Sequence, residues 1–232
     1  MGETLTEPKL IAWSHSRIET FKKCPRQFYE FNIAKSVPFE QSEQMLYGER
    51  CHKALELRLG CGEPLPPEFA KHEAIAAAVA AMPGQTFVEI KLTLNEKLTP
   101  TGYFAKDAYV RVVVDVMKLA PPFCFVGDWK TGKMSFDGEQ LKLTAAVVMQ
   151  TYQDVDTVAS AYLWLKDGVP DVKHYTRAQL PQMWNELLQE PRRLQEAVVM
   201  NNWPAKPSPG KCRWCTVNKY GKCPDAAERY KG

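Results

Sequence analysis

Apolar side chains recur at helical spacing up to about residue 82, and at Phe87 the period changes to two. Ile18, Phe21, Phe28 and Phe31 make the first stripe, interrupted at Cys24-Pro25. Ser16 followed by Glu19 reads as a capping box, so a helix is predicted from Arg17. A second helix is predicted over 42–59, with Met45, Leu46, Leu55 and Leu59 inward and Gly60-Cys61-Gly62 as its stop. An alanine-rich third spans 67–82 and ends at Pro83-Gly84. Phe87, Glu89, Lys91 and Thr93 then alternate with Val88, Ile90, Leu92 and Leu94, which is strand periodicity. Residues 109–116 and 123–130 read as two further strands, joined as a hairpin through Ala120-Pro121-Pro122. A helix over 137–152 and a strand over 158–166, closed by Asp167-Gly168, come next. A long last helix runs from a Thr176 cap to Asn202, disturbed at Pro191. Pro204, Pro207, Pro209 and Gly210 link it to a cysteine-rich tail. This order predicts an α/β (α+β) fold with a central mixed sheet flanked by helices. The expected division is a domain over 1–203 and a tail over 204–232.

A chain of 232 residues with 45% hydrophobic side chains can bury a sizeable core. Its net charge of +3 excludes histone-like binding, though not a basic cleft. No apolar run reaches membrane-helix length, and the stretch around Ala74–Met82 is too short and too rich in alanine. The N-terminus has no secretory pattern, and its Met-Gly start with Thr6 is a weak acylation match lacking a second membrane signal. Seven cysteines, an odd number, fit the reducing cytoplasm better than a disulfide scaffold.

The candidate chemistry lies in Asp128-Trp129-Lys130-Thr131-Gly132. On a strand, Asp128 and Lys130 point the same way, so one can hold a metal ion and the other an ammonium over one phosphate. The acid-x-Lys pattern recurs at Glu7-Pro8-Lys9, Glu89-Ile90-Lys91 and Asp171-Val172-Lys173. Glu7 is in a fraying terminus, Asp171 follows a turn without an upstream acid, and the acids preceding Glu89 sit on a helix. Asp128 differs because the hairpin brings Asp115 beside it. Two carboxylates amid valines and phenylalanines are costly to desolvate unless a cation sits between them, and hard oxygen ligands suit Mg²⁺ or Mn²⁺.

With these residues the chain resembles the PD-(D/E)XK nucleases of the RecB and lambda-exonuclease type. The stretch Ser16–Tyr29 is similar to the family's N-terminal signature. Gly48-Glu49-Arg50-Cys51-His52 resembles its Gly-x-x-x-His motif, and Asp115 its second-motif aspartate. Asp128-Trp129-Lys130-Thr131-Gly132 matches Asp-x-Lys-Thr-Gly, and Gln140 opens a Gln-x-x-x-Tyr motif whose tyrosine is Thr144 here. The resemblance implies a restriction-endonuclease-like core. His52, Asp115, Asp128 and the Trp129 carbonyl would be metal ligands, and Lys130 the catalytic lysine. Gln140 would contact DNA or position that lysine. Glu89 takes a supporting role at most, and Glu56 lies one turn beyond His52.

Cys212 and Cys215 form a two-residue knuckle, and Cys223 follows. In a four-cysteine subset of the family, which includes the AddB subunit and the CRISPR adaptation exonuclease, an N-terminal cysteine joins three C-terminal ones around a [4Fe-4S] cluster. The resemblance gives that role to Cys24, Cys212, Cys215 and Cys223, with Zn²⁺ as the alternative. Cys51, Cys61 and Cys124 read as free buried cysteines. The tail's Lys206, Lys211, Arg213, Trp214, Lys219, Tyr220 and Lys222 suit phosphate contact and base stacking.

The expected function is a metal-dependent DNA exonuclease of repair or recombination, compact enough to be phage-encoded. Its substrate would be DNA with a free end or a single strand. A recombination protein or a second copy of the chain are candidate partners, and no membrane is involved. An endonuclease, or a non-catalytic nucleic-acid-binding module with a structural metal cluster, are the alternatives.

Overall fold

The computed structural model describes residues 10–134 and 138–225, which fall into two compact units. The readings on Glu7–Lys9, Thr6 and the first residues of the 137–152 helix lie outside the described residues.

One unit spans Gln41–Leu187. It opens with α1, Glu43–Cys61, whose N-cap Ser42 accepts the Met45 amide and whose C-cap Gly62 adopts φ 75°. Leu55 is inward as the periodicity predicts, but Met45 is exposed, because it lies in the first turn, ahead of the buried segment. The predicted third helix is two pieces: a 3-10 turn Pro67–His72 and α2, Glu73–Ala80. Prolines at the entry favour the tighter turn.

Five strands follow: β1 Gln85–Leu94, β2 Val110–Ala120, β3 Phe123–Lys130, β4 Thr157–Trp164 and β5 Val169–Thr176. They stand in sequence order, antiparallel except for the parallel pair β3–β4. β3 needs a crossover to reach a parallel neighbour, and α3, Glu139–Thr151, supplies it. The hairpin through Ala120-Pro121-Pro122 is present, with Ala120 paired to Phe123. β5 was not anticipated. The segment after the Asp167-Gly168 turn is an edge strand, with a mostly exposed pattern and little apolar alternation.

The two sheet faces bury different helices. Val116, Trp129, Ala161 and Leu163 pack with Cys51, Ala54 and Leu55 of α1 and with Ala76 and Val79 of α2. The alternate residues Asp128 and Lys130 reach Gln140 on α3. Thr176 caps as predicted, but through a capping box with Gln179 on a 3-10 turn, Arg177–Gln179. The long last helix divides into α4, Leu180–Leu187, and α5, Gln189–Val199. The break is at Leu188, and Pro191 sits within the first turn of α5, where its missing N–H costs nothing.

The other unit comprises Met1–Glu40 and Leu188–Gly232. Its first helix, α6, is His15–Lys23, followed by α7, Pro25–Asn32. The Ser16–Glu19 box is not formed: Ser14 occupies the N-cap without a side-chain cap bond. Cys24-Pro25 divides the two helices as expected, since proline suits the first position of a new helix. Phe28 is fully buried, edge-on to Phe21 and stacked with Trp203. Two short helices, α8 Pro209–Cys212 and α9 Thr216–Lys219, end the unit. They tie back to its N-terminal segment: Lys219 pairs with Glu40 at 2.9 Å, and Arg26 donates to the Lys222 carbonyl.

Candidate active site

One level of the sheet carries the polar chemistry. Val88–Val116 and Ile90–Val114 are paired, so Glu89 stands opposite Asp115. The β2–β3 ladder stops at Val116–Gly127, one step before Asp115 and Asp128 would face each other. Asp128 in turn pairs with Tyr162 on β4. Glu89, Asp115, Asp128 and Tyr162 therefore succeed one another across four strands. Where the ladder opens, Asp115 Oδ2 accepts the Trp129 amide at 2.8 Å, taking the place of a backbone carbonyl. Glu89 adopts φ 49°, in the left-handed region that a side-chain-bearing residue rarely enters mid-strand.

α1 brings His52 to the end of this row. Its Nδ1 lies 3.4 Å from Asp115 Oδ2, and the ring also hydrogen-bonds the Trp129 backbone. Gly48, one turn earlier, explains the approach: a Cβ there would sit 3.3 Å from Thr131 Oγ1. On the facing side, Lys130 Nζ is 2.5 Å from Asp128 Oδ2 and 3.0 Å from Gln140 Oε1. The Gln140 amide nitrogen donates to Asp128 Oδ1, so one glutamine clamps both partners of the ion pair. Thr144, where the family motif has tyrosine, turns its hydroxyl back to the Gln140 carbonyl at 3.0 Å.

Burial and the neighbouring Asp128 carboxylate push the Asp115 carboxyl up to about 8 in the metal-free protein. Glu89 is also raised, first by burial and then by Glu56, which itself pairs with Lys53. Burial lowers His52, which keeps the imidazole neutral, the form that can ligate. The row is thus short of positive charge. Ligand atoms of His52, Glu89 and Asp115 all lie within 4.8 Å of one another, a spacing that fits one cation. Carboxylate oxygens with one imidazole suit Mg²⁺ or, better, Mn²⁺.

The predicted residues His52, Asp115, Asp128, Trp129, Lys130 and Gln140 are thus drawn together. Glu89, expected in a supporting role at most, joins them through its position opposite Asp115, which depends on register that the acid-x-Lys pattern does not encode. Tyr162 went unnoticed, because an aromatic in an apolar strand reads as core.

In the other unit, Cys24, Cys212, Cys215 and Cys223 line one cavity. The Lys206 amide donates to Cys24 Sγ at 3.4 Å and the Ser208 amide to Cys212 Sγ at 3.2 Å. Among the described residues, no three of these thiols lie within 4.8 Å of one another. Cys51 and Cys124 are buried, with thiols pushed up to about 11 and about 12 by desolvation. Cys61 is exposed instead of buried, because it ends α1.

A family model described as the PD-(D/E)XK nuclease superfamily matches residues 12–220. The chain belongs to this superfamily. No curated protein matches it. Among solved structures, it is similar to a "Putative exonuclease" from Eubacterium rectale at 16% identity, with TM-score 0.51, covering 96% of this chain and 95% of that one. It is also similar to SSO0001 at 14% identity, with TM-score 0.48, covering 95% of this chain and 88% of that one. Membership makes the chain a nuclease with a restriction-endonuclease-like fold, whose family uses divalent metals. Among the described residues, no helix is long and apolar enough to cross a membrane.

Proposed function

We propose that this nuclease is a Mg²⁺- or Mn²⁺-dependent DNA exonuclease of repair or recombination. The observation that carries the reading is the row Glu89–Asp115–Asp128 with His52 at one side and Lys130 at the other. By the resemblance His52, Asp115, Asp128 and the Trp129 carbonyl would hold the cation; by the geometry Glu89 would join His52 and Asp115, whose ligand atoms gather within 4.8 Å, while Asp128 is paired with Lys130. When bound, the cation supplies Lewis-acid polarisation of a phosphate oxygen and makes a nearby water more acidic. Lys130 places its ammonium where charge grows on the phosphate, and Gln140 holds it there. Exonuclease action rests on the resemblance to the RecB and lambda-exonuclease type.

The test uses end-labelled linear DNA and a covalently closed circle, each with Mg²⁺ or Mn²⁺. Release of label from linear DNA with the circle intact is the expected result. Cutting of the circle would make the protein an endonuclease. Equal activity in an Asp128→Ala preparation would sink the mechanism.

We further propose that Cys24, Cys212, Cys215 and Cys223 hold a [4Fe-4S] cluster. The four thiols line one cavity, and the choice of cluster over Zn²⁺ rests on the resemblance. The two amide donors suit sulfurs carrying negative charge. Anaerobically purified protein should be brown, with visible absorbance lost in Cys24→Ser. Colourless protein containing stoichiometric zinc would replace this assignment.

A further inference from the structure

The Lys130 ammonium has a third neighbour besides Asp128 and Gln140. Its Nζ lies 5.0 Å from the centre of the Tyr162 ring, within the reach of a cation–π contact. Tyr162 is 3% exposed, and Trp164, itself buried, meets it edge-on with ring centres 5.6 Å apart. The parallel register sets this arrangement: Asp128 pairs with Tyr162 and Lys130 with Trp164. An aromatic pair on β4 thus lies beside the acid and the lysine of β3, and burial on a strand fixes the ring.

We propose that Tyr162 is a positioning residue for Lys130, holding the ammonium by its ring face when Asp128 turns to a cation. This rests on the nuclease reading above. Asp128 has two tasks that conflict, because a carboxylate shared with a divalent cation attracts the ammonium less. A further carboxylate beside Lys130 would restore the attraction but would neutralise the charge the phosphate needs and compete for the cation. A ring face attracts an ammonium without either fault, since it carries no net charge and offers no hard oxygen ligand through its π surface. The ring side of the contact is buried, while the Lys130 side chain keeps 30% exposure, so the attraction is that of a partly desolvated pair. Gln140 and Tyr162 then fix the ammonium through neutral groups.

The test compares Tyr162→Leu and Tyr162→Phe in steady-state cleavage of linear DNA with Mn²⁺, alongside Lys130→Ala. Removing the ring face should lower kcat by roughly 3- to 10-fold, the rate equivalent of a partly desolvated cation–π contact, and leave KM unchanged. Tyr162→Phe keeps the ring and should recover kcat to within about twofold of wild type. A second measurement does not use activity. The Lys130 ε-methylene NMR signal, assigned by its loss in Lys130→Ala, should be shifted upfield by the ring in wild type and Tyr162→Phe, and should return to the ordinary lysine position in Tyr162→Leu. Equal kcat in the Leu and Phe variants would overturn the proposal, as would an ordinary ε-methylene position in wild type. Should Tyr162→Leu fail to fold, Tyr162→Met and the wild-type signal decide. Full activity in Lys130→Ala would instead sink the nuclease mechanism, while the NMR shift still reports on the contact.

Discussion

Asp115 accepts the backbone amide of Trp129 at 2.8 Å, so the carboxylate that faces the candidate metal site also completes the sheet where its ladder opens. The two duties can be separated. Asp115→Asn can still accept that amide through its side-chain carbonyl, but it offers a cation no charge. The variant should fold, with cleavage reduced on the order of 100-fold or more and Mn²⁺ affinity weakened. Circular dichroism, calorimetric metal titration and end-label release would check the three parts.

The same carboxyl sets a pH dependence. In the metal-free protein it is raised to about 8, from an ordinary value of 3.8. Between these values the folded state keeps a proton that the unfolded state releases, so stability falls as pH rises. His52 is lowered from 6.5, and it opposes this trend only below that value. From about pH 6.5 to 8 the Tm in EDTA should therefore drop with rising pH, and Asp115→Asn should flatten the slope. Metal affinity should rise over the same range, because binding must displace the proton.

Gln140 touches both ends of the Asp128–Lys130 pair, so its loss should affect chemistry more than binding. Gln140→Ala should lower kcat by about 10- to 100-fold with little change in KM, as expected for a group that orients catalytic atoms. Gln140→Glu can still accept from Lys130 but opposes Asp128, and should be no better than alanine. A rise in KM at constant kcat would assign Gln140 to DNA contact instead.

Much of this site was legible because its residues follow local rules. Asp128 and Lys130 share a face through strand alternation, and a short proline turn between two apolar runs implied the hairpin that carries Asp115. His52 was placed by a motif whose glycine has a steric reason, the close approach of Gly48 to Thr131. What escaped depends on long-range register. Glu89 meets Asp115, and Tyr162 meets Asp128, only through pairings among β1, β2, β3 and β4. β5 escaped because an exposed edge strand needs no apolar alternation. The last helix is disturbed at Leu188, which carries no breaking signal, and not at the expected Pro191, which is tolerated in the first turn of α5.

Gly127 gives a final prediction, linking packing to the site. A Cβ at this position would lie 2.6 Å from Leu163 Cδ1 and 2.9 Å from Val116 Cγ1. Both neighbours are almost fully buried, at 2% and 0% exposure, so neither side chain can swing into solvent. Gly127→Ala therefore forces a repacking on the face opposite Asp128, with a cost of about 1–3 kcal/mol. Because Asp128 is the next residue on the same strand, the shift should also reduce cleavage. Gly48→Ala meets only a hydroxyl, at 3.3 Å, and should cost less stability. Urea denaturation of the two variants would check the order, and Gly127→Ala with wild-type stability would show that β3 and β4 have slack the packing does not suggest.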